Sequence, residues 1–416
     1  MRETYNLEFK EKISNSFLKT VTAFSNYNDG KIIFGINDKG EYIGIANIKE
    51  SALAIENKIN DSITPQVEYK ISIDEEKKII ILNISQGMET PYFYNSKTYK
   101  RNDSATIEVD KIELKNLILR GQNTTFDALV QNITDFKFNY LANKFKEILE
   151  IKDFNNDILK ALELVNIDSK ITNAGLLLSD KNNFKIIDIV RFGDNKDIIL
   201  NRTQIKNISI LEAYDKAIQI YRENYQYELI KEAYREKKEL IPEKAFREVI
   251  ANALVHRDWN INSYIQISME KDFISVLSPG KLPEGLSVNE YLEGQISLMR
   301  NPIIGNIFFR LNIIESFGTG IRRIRNAYKN SDKKPIFNIS ENYIEVKLPI
   351  ISNIDSLSED EKEVYSALEN KTLASSQIAE ITKFGKNKVL NILETLIENG
   401  YVVKLGKGRG TKYSTK

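Results

Sequence analysis

The chain has no cysteine and a single histidine, His256. Without thiols there can be no disulfide, no Cys-ligated zinc, no iron–sulfur cluster and no thiol nucleophile. With one imidazole, multi-histidine metal sites and two-histidine catalysis are excluded as well. No apolar run approaches the roughly 20 residues of a membrane helix, and the opening MRETYNLEFKE is too polar for a secretory leader. An excess of one charge is missing too, with 59 Lys and Arg against 58 Asp and Glu and a net charge of +1. Any contact with nucleic acid must therefore come from a local patch. These absences suggest a cytoplasmic protein. What remains is ordinary globular composition, 42% hydrophobic and 28% charged over 416 residues. That is too long for one compact core and suggests three or four domains.

One stretch organises the reading. Pro242–Trp259, PEKAFREVIANALVHRDW, has the spacing of a helix. Phe246, Val249, Ile250, Ala253 and Leu254 form a stripe for burial, and Pro242 suits a first helical turn. Glu248, Asn252 and His256 stand four apart and share another face. A carboxylate, an amide and an imidazole beside an apolar stripe suggest a site over this helix. The plain alternative is a solvated polar face. His256, at the helix end, reads as a capping or packing residue, and Trp259 as a core or lid contact. HRD here lacks the downstream Asn and the strand context of a kinase catalytic loop.

Residues 1–120 read as an α/β unit. Tyr5, Leu7 and Phe9 alternate with polar neighbours, as in a half-buried strand. Ile13, Phe17, Val21 and Phe24 predict a helix over Ile13–Phe24. KIIFGI and EYIGI, joined by NDKG, predict a hairpin. A helix over Ser51–Ile63 and strands at Tyr69–Ile73, Ile79–Ile84 and KTYKRND complete the unit. The ordered string E-x4-E-F-K, A-F-S-N-x-x-D-G-x-I-x-F-G-I-N-D-x-G and Y-K-R-N resembles the Schlafen AlbA-type domain, over about a quarter of the chain. The resemblance implies a nucleic-acid-binding module. In some Schlafen proteins three carboxylates serve a metal-dependent RNA endonuclease, and Glu3, Glu8 and Asp38 match them. They would hold Mg or Mn, with Lys10 and Arg101 on the flanking phosphates. Their plain readings are a strand's polar side for Glu8 and a turn residue for Asp38. Glu3 and Glu8 are an odd number apart, so a shared site needs a bend between them.

Arg120–Asp127 reads as a linker, and residues 128–240 as a mainly helical connecting region with a strand near FKIIDIV. Tyr214–Lys238 reads as a solvated helix. Residues 241–350 follow the organising helix with a hairpin, then SPG, then ESFGTGIRRIRNAY. Gly318 and Gly320 stand at a helix start, where free N–H groups and the helix dipole favour phosphate. Helix, hairpin, glycine turn and Gly-x-Gly in this order resemble the ATP-binding fold of the GHKL group, an α/β sandwich, in its bacterial RecG-like branch. The resemblance implies ATP with Mg, Asn252 as the metal ligand and Glu248 polarising water. Ser278, with Gly280 behind it, stands where the group has a base-reading Asp. No Walker A loop is present, because GKGRGTK has the wrong glycine spacing.

Residues 355–416 predict three short amphipathic helices, with Leu368, Ile378, Ile381, Val389, Ile392, Leu393 and Leu396 inward, and then a two-stranded wing. This resembles a winged helix-turn-helix. Lys386, Lys388, Lys407 and Arg409 belong to the local basic patch that the global charge conceals, unless the unit serves dimerisation instead. The fold class is thus α/β (α+β) and multi-domain. The leading function is a nucleic-acid-binding transcriptional regulator with a nucleotide site and DNA or RNA partners. The runner-up is a Schlafen-like metal-dependent ribonuclease in stress or phage defence. A scaffold whose folds have lost their ligands is the third. ATPase activity, and assembly as a homo-oligomer, fit the first reading.

Overall fold

The computed structural model describes residues 2–151, 153–231, 234–283, 285–294, 298–315, 318–351, 357–369, 371–398, 401–406 and 408–415. The chain is a mixed α/β, multi-domain protein built on three main apolar cores.

The first core lies on a four-stranded sheet, ordered Leu7–Lys10, Gly30–Phe34, Ile79–Ile84, Tyr69–Asp74. The first two strands are parallel because helix Phe17–Tyr27 crosses between them; the others are antiparallel. That helix buries Phe17, Leu18, Val21 and Phe24. Phe17 meets Phe34 edge to face at 5.2 Å. It starts later than the periodicity suggests, after a turn in which Phe17 N donates to Ser14 O. The expected EYIGI return strand is reduced to a single bridge, Ile36 to Tyr42. Gly35 takes a positive φ of 93°, and its carbonyl accepts from both Ile43 N and Gly44 N, which folds the chain away from the ladder. Strand Tyr99–Asn102 pairs instead with Ala105–Glu108.

The second core is one continuous cluster running from Phe138 to Leu348. Its six-stranded sheet is ordered Ile199–Lys206, Lys185–Phe192, Ile265–Met269, Phe273–Pro279, Tyr343–Pro349, Ile336–Ile339. Strands from the stretch read as a helical connection therefore share a sheet with those of 241–350. Lys185–Phe192 is the parallel neighbour of Ile265–Met269. The solvated helix expected over Tyr214–Lys238 is corrected in two ways. The helix runs Ile210–Tyr225 and buries Ile210, Leu211, Tyr214, Ile218, Tyr221 and Tyr225. The remainder is a hairpin, Gln226–Lys231 with Tyr234–Glu239. The helix's Tyr214, Tyr221 and Tyr225 recur at helical spacing and fill the core, which the surrounding charges hide from a composition reading.

The organising helix spans Glu243–His256 and buries all five residues of the expected stripe. Phe246 stacks on Tyr221 with ring centroids 4.6 Å apart. Trp259 is a core residue whose indole N–H donates to Leu254 O at 3.3 Å.

The third core belongs to helices Glu359–Ala367, Ser375–Thr382 and Lys386–Glu398 with a sheet ordered Thr372–Leu373, Lys412–Thr415, Val402–Leu405. Leu368, Ile378, Val389, Leu393 and Leu396 are buried as expected, while Ile381 is exposed and Ile392 only partly covered.

Candidate functional site: a glycine-edged pocket over one helix

The pocket lies along helix Glu243–His256 and is bounded by Ser278, Gly280, Gly318, Gly320 and Ile324, among others. Its empty space, open solvent at the mouth included, is about 1010 Å³. Glu248 and His256 both line it, eight residues apart, so it extends roughly 12 Å along the helix axis at 1.5 Å per residue.

Its polar end is built on close backbone approach. A Cβ placed on Gly320 would come within 2.5 Å of Glu248 Oε1 and 2.7 Å of Asn252 Nδ2. A side chain at Gly320 would have to displace both groups, and Thr319 gives helix Gly320–Ala327 no side-chain cap. Asn252 Nδ2 donates to Glu248 Oε1 at 3.4 Å, and Arg323 Nη1 donates to Glu248 Oε2 at 3.3 Å. Arg323 also pairs with Glu315. Burial raises the Glu248 pKa, and Arg323 opposes that shift. The Asn252 amide oxygen, one hard donor beside a carboxylate, fits a magnesium ion that takes its other ligands from phosphates and water.

The other end is mostly apolar. Ser278 lies there and donates its hydroxyl to Ala253 O at 3.1 Å. Gly280 has a φ of 112°, and an added Cβ would lie 2.7 Å from Asp258 Cβ. His256 lines the pocket rather than merely capping the helix. Desolvation and the nearby Arg300 lower its pKa to about 4, so its ring is neutral at physiological pH. Arg257 turns inward instead. It donates to Lys185 O at 2.8 Å and Ile261 O at 3.0 Å, over the face of Trp259 at 4.2 Å. Burial lowers its pKa to about 10. Asp258 accepts from Arg300 Nη1 at 3.3 Å and from Asn116 Nδ2 at 3.1 Å. Asn116 belongs to helix Lys111–Gly121, so this carboxylate ties the first unit to the pocket's edge.

The N-terminal carboxylates behave differently. The bend required between Glu3 and Glu8 is present, as Thr4 and Leu7 exchange backbone hydrogen bonds. Glu3 Oε1 then accepts from Phe9 N at 2.8 Å. Glu8 is buried, paired with Lys10 and, at 2.5 Å, with Arg101 Nη1. Asp38 is exposed on its turn. Among the described residues no three acidic or imidazole side chains gather to hold a metal. Glu3, Glu8 and Asp38 are not among any such group, and Glu8 is paired with two internal cations. Arg101 is itself almost fully buried, donating to Thr106 Oγ1 and Thr4 O as well.

In the third unit Lys386 opens helix Lys386–Glu398. Lys388 is half-exposed and pairs with Asp360 at 2.8 Å. Lys407 and the side chain of Arg409 lie outside the described residues. Sequence reasoning missed Arg323, Glu315, Asn116 and Tyr291 in or beside the pocket. Only Arg323 had a signal, about one turn beyond Gly320 in GTGIRR.

Residues 3–110 match the family described as Schlafen, AlbA_2. Residues 262–348 match that described as Putative ATP-dependent DNA helicase recG C-terminal. The chain carries both kinds of region. The second match begins after helix Glu243–His256, so Glu248 and Asn252 rest on pocket geometry alone. An uncharacterized ATP-binding protein of Ureaplasma parvum is 24% identical over 281 residues, covering 59% of this chain and 75% of that protein. The solved DIP2311 protein of Corynebacterium diphtheriae aligns at TM-score 0.49 and 19% identity, covering 99% of this chain and 92% of its own. Among the described residues no helix is long and apolar enough to cross a membrane.

Proposed function

We propose that the pocket binds ATP with magnesium and that the protein is a nucleic-acid-binding regulator whose state the nucleotide sets. The observation that carries this is the close approach of Glu248 and Asn252 to the start of helix Gly320–Ala327, in the cavity they line. Phosphates suit that helix start, where amides are unsatisfied and the dipole is positive. Asn252 would hold the magnesium, and Glu248 would polarise the water for any hydrolysis. The metal, when bound, neutralises phosphate charge. The base would lie toward Ser278 and Gly280, where a neutral hydroxyl replaces a carboxylate and weakens base selection. The named relative, an ATP-binding protein, supports the same ligand.

The third unit runs helix, strand, helix, helix, strand, strand, the order of a winged helix. With its local basic residues, this supports DNA as the partner. The first unit is proposed as a nucleic-acid-binding module rather than a ribonuclease, because the Glu8 charge is already compensated. Calorimetry with ATP and magnesium tests the central reading. Saturable binding is expected, weakened in Asn252→Ala. Wild-type protein with neither heat nor thermal shift at millimolar ATP would overturn it.

A further inference from the structure

Six polar side chains line the pocket among the described residues: Glu248, Asn252, His256, Ser278, Tyr291 and Glu315. Five have protein partners. Glu248 takes Asn252 and Arg323, Glu315 takes Arg323, and Ser278 donates to Ala253 O. His256 bonds to the backbone of Leu298 in a way that favours its protonated ring, so it donates there. Tyr291 has none. Desolvation is the only influence on its hydroxyl, whose pKa rises to about 12, so it stays a proton donor. Tyr291 is partly exposed and lines the cavity, so its hydroxyl is open to an acceptor there.

Its position indicates which part of a ligand that is. Tyr291 sits near the end of helix Val288–Glu293, with Gly294 as the cap. A Cβ on Gly294 would stand 3.0 Å from Gly318 O, and Arg322 Nε donates to Glu293 O at 3.0 Å. The helix carrying Tyr291 is thus clasped to the start of the helix where the phosphates are proposed to lie.

We propose that Tyr291 is a ligand-binding residue whose hydroxyl donates a hydrogen bond to a phosphate oxygen of the bound nucleotide. This rests on the nucleotide reading of the pocket. A phenol donating to an anionic oxygen makes a charge-assisted bond, stronger than its neutral counterpart. It also joins the segment carrying Gly294 to the ligand, so the phosphate chain is held from two helices.

The test is Tyr291→Phe in the full chain, probed with magnesium-ATP and with adenosine. ATP affinity should fall roughly tenfold or more, as for a lost hydrogen bond to a charged group. Adenosine should bind both proteins equally, or equally undetectably. Thermal stability without ligand should be unchanged or higher, since the hydroxyl gives up no protein partner. Unchanged ATP affinity overturns the proposal. So does an equal loss with adenosine, which would put the contact on the base or sugar, and so does a fall in ligand-free stability, which would make the hydroxyl structural. If wild-type protein binds no ATP, the nucleotide reading itself fails, and the two failures are told apart by that first measurement.

Discussion

Arg323 Nη1 stands 3.3 Å from Glu248 Oε2, across the interface where helix Gly320–Ala327 meets helix Glu243–His256. The pair places a cation against the buried carboxylate of the pocket. Net of that cation, burial still raises the Glu248 pKa above 4.5.

A carboxyl whose pKa is higher folded than unfolded stabilises the fold at low pH. That contribution is lost as the pH rises through the folded value. Glu248→Gln removes the titration while keeping an acceptor for Arg323. Variant and wild type should melt together at about pH 4, and the variant should melt higher at about pH 8. Any ATP hydrolysis should fall with the substitution. A wild type more stable than the variant at the higher pH would contradict this account.

Gly320→Ala tests the close approach. Alanine in a helix normally stabilises by about 1 kcal/mol over glycine. Here its methyl would meet Glu248 and Asn252 well inside contact distance. The expected result is a net loss of about 1–3 kcal/mol in urea unfolding, as for overpacking, with ATP affinity reduced. A stabilised variant that binds ATP normally would show that the helix start has room to spare.

Glu8→Ala should act on stability first. It strands a guanidinium only 3% exposed, and breaking a buried pair costs about 3–5 kcal/mol. Adding Arg101→Ala should recover part of that loss, a coupling readable in a double-mutant cycle. If Glu8→Ala is as stable as wild type yet abolishes manganese-dependent cleavage of tRNA, the ribonuclease reading gains over the binding-module one.

The two lysines of the third unit should differ. Lys386→Ala should flatten the salt dependence of DNA binding by the full chain, by about 0.9 in log–log slope if it meets one phosphate. Lys388→Ala should change it less, because its ammonium is engaged by Asp360 and lies 3.9 Å over the Phe384 ring. Equal slopes in all three proteins would favour a dimerisation role for the unit.

The local pattern carried much of this. The stripe of helix Glu243–His256, the strands at Tyr69–Asp74 and Ile79–Ile84, and the buried positions of the third unit follow from period and turn residues. Glu248, Asn252 and Gly320 were legible as separate signals, and their meeting is a tertiary fact. What escaped the sequence were partners distant along the chain. Arg323 reaches Glu248 across 75 positions, and Asn116 reaches Asp258 across 142. Tyr291 escaped because a tyrosine in a six-residue helix has no pattern that separates cavity from core. Charge composition misled over Tyr214–Lys238, where four charged residues surround the buried face of one helix and the rest belong to a hairpin.

The shared six-stranded sheet bears on how the pocket can be dissected. A fragment starting at 241 would bare the flank of Ile265–Met269 that Lys185–Phe192 pairs with. It would also uncover Phe246, which Tyr221 stacks upon. An unpaired apolar strand edge beside an exposed ring is a template for aggregation. The pocket should therefore be expressed and lost together with the segment before it, and a fragment that keeps both should stay soluble where one starting at 241 does not.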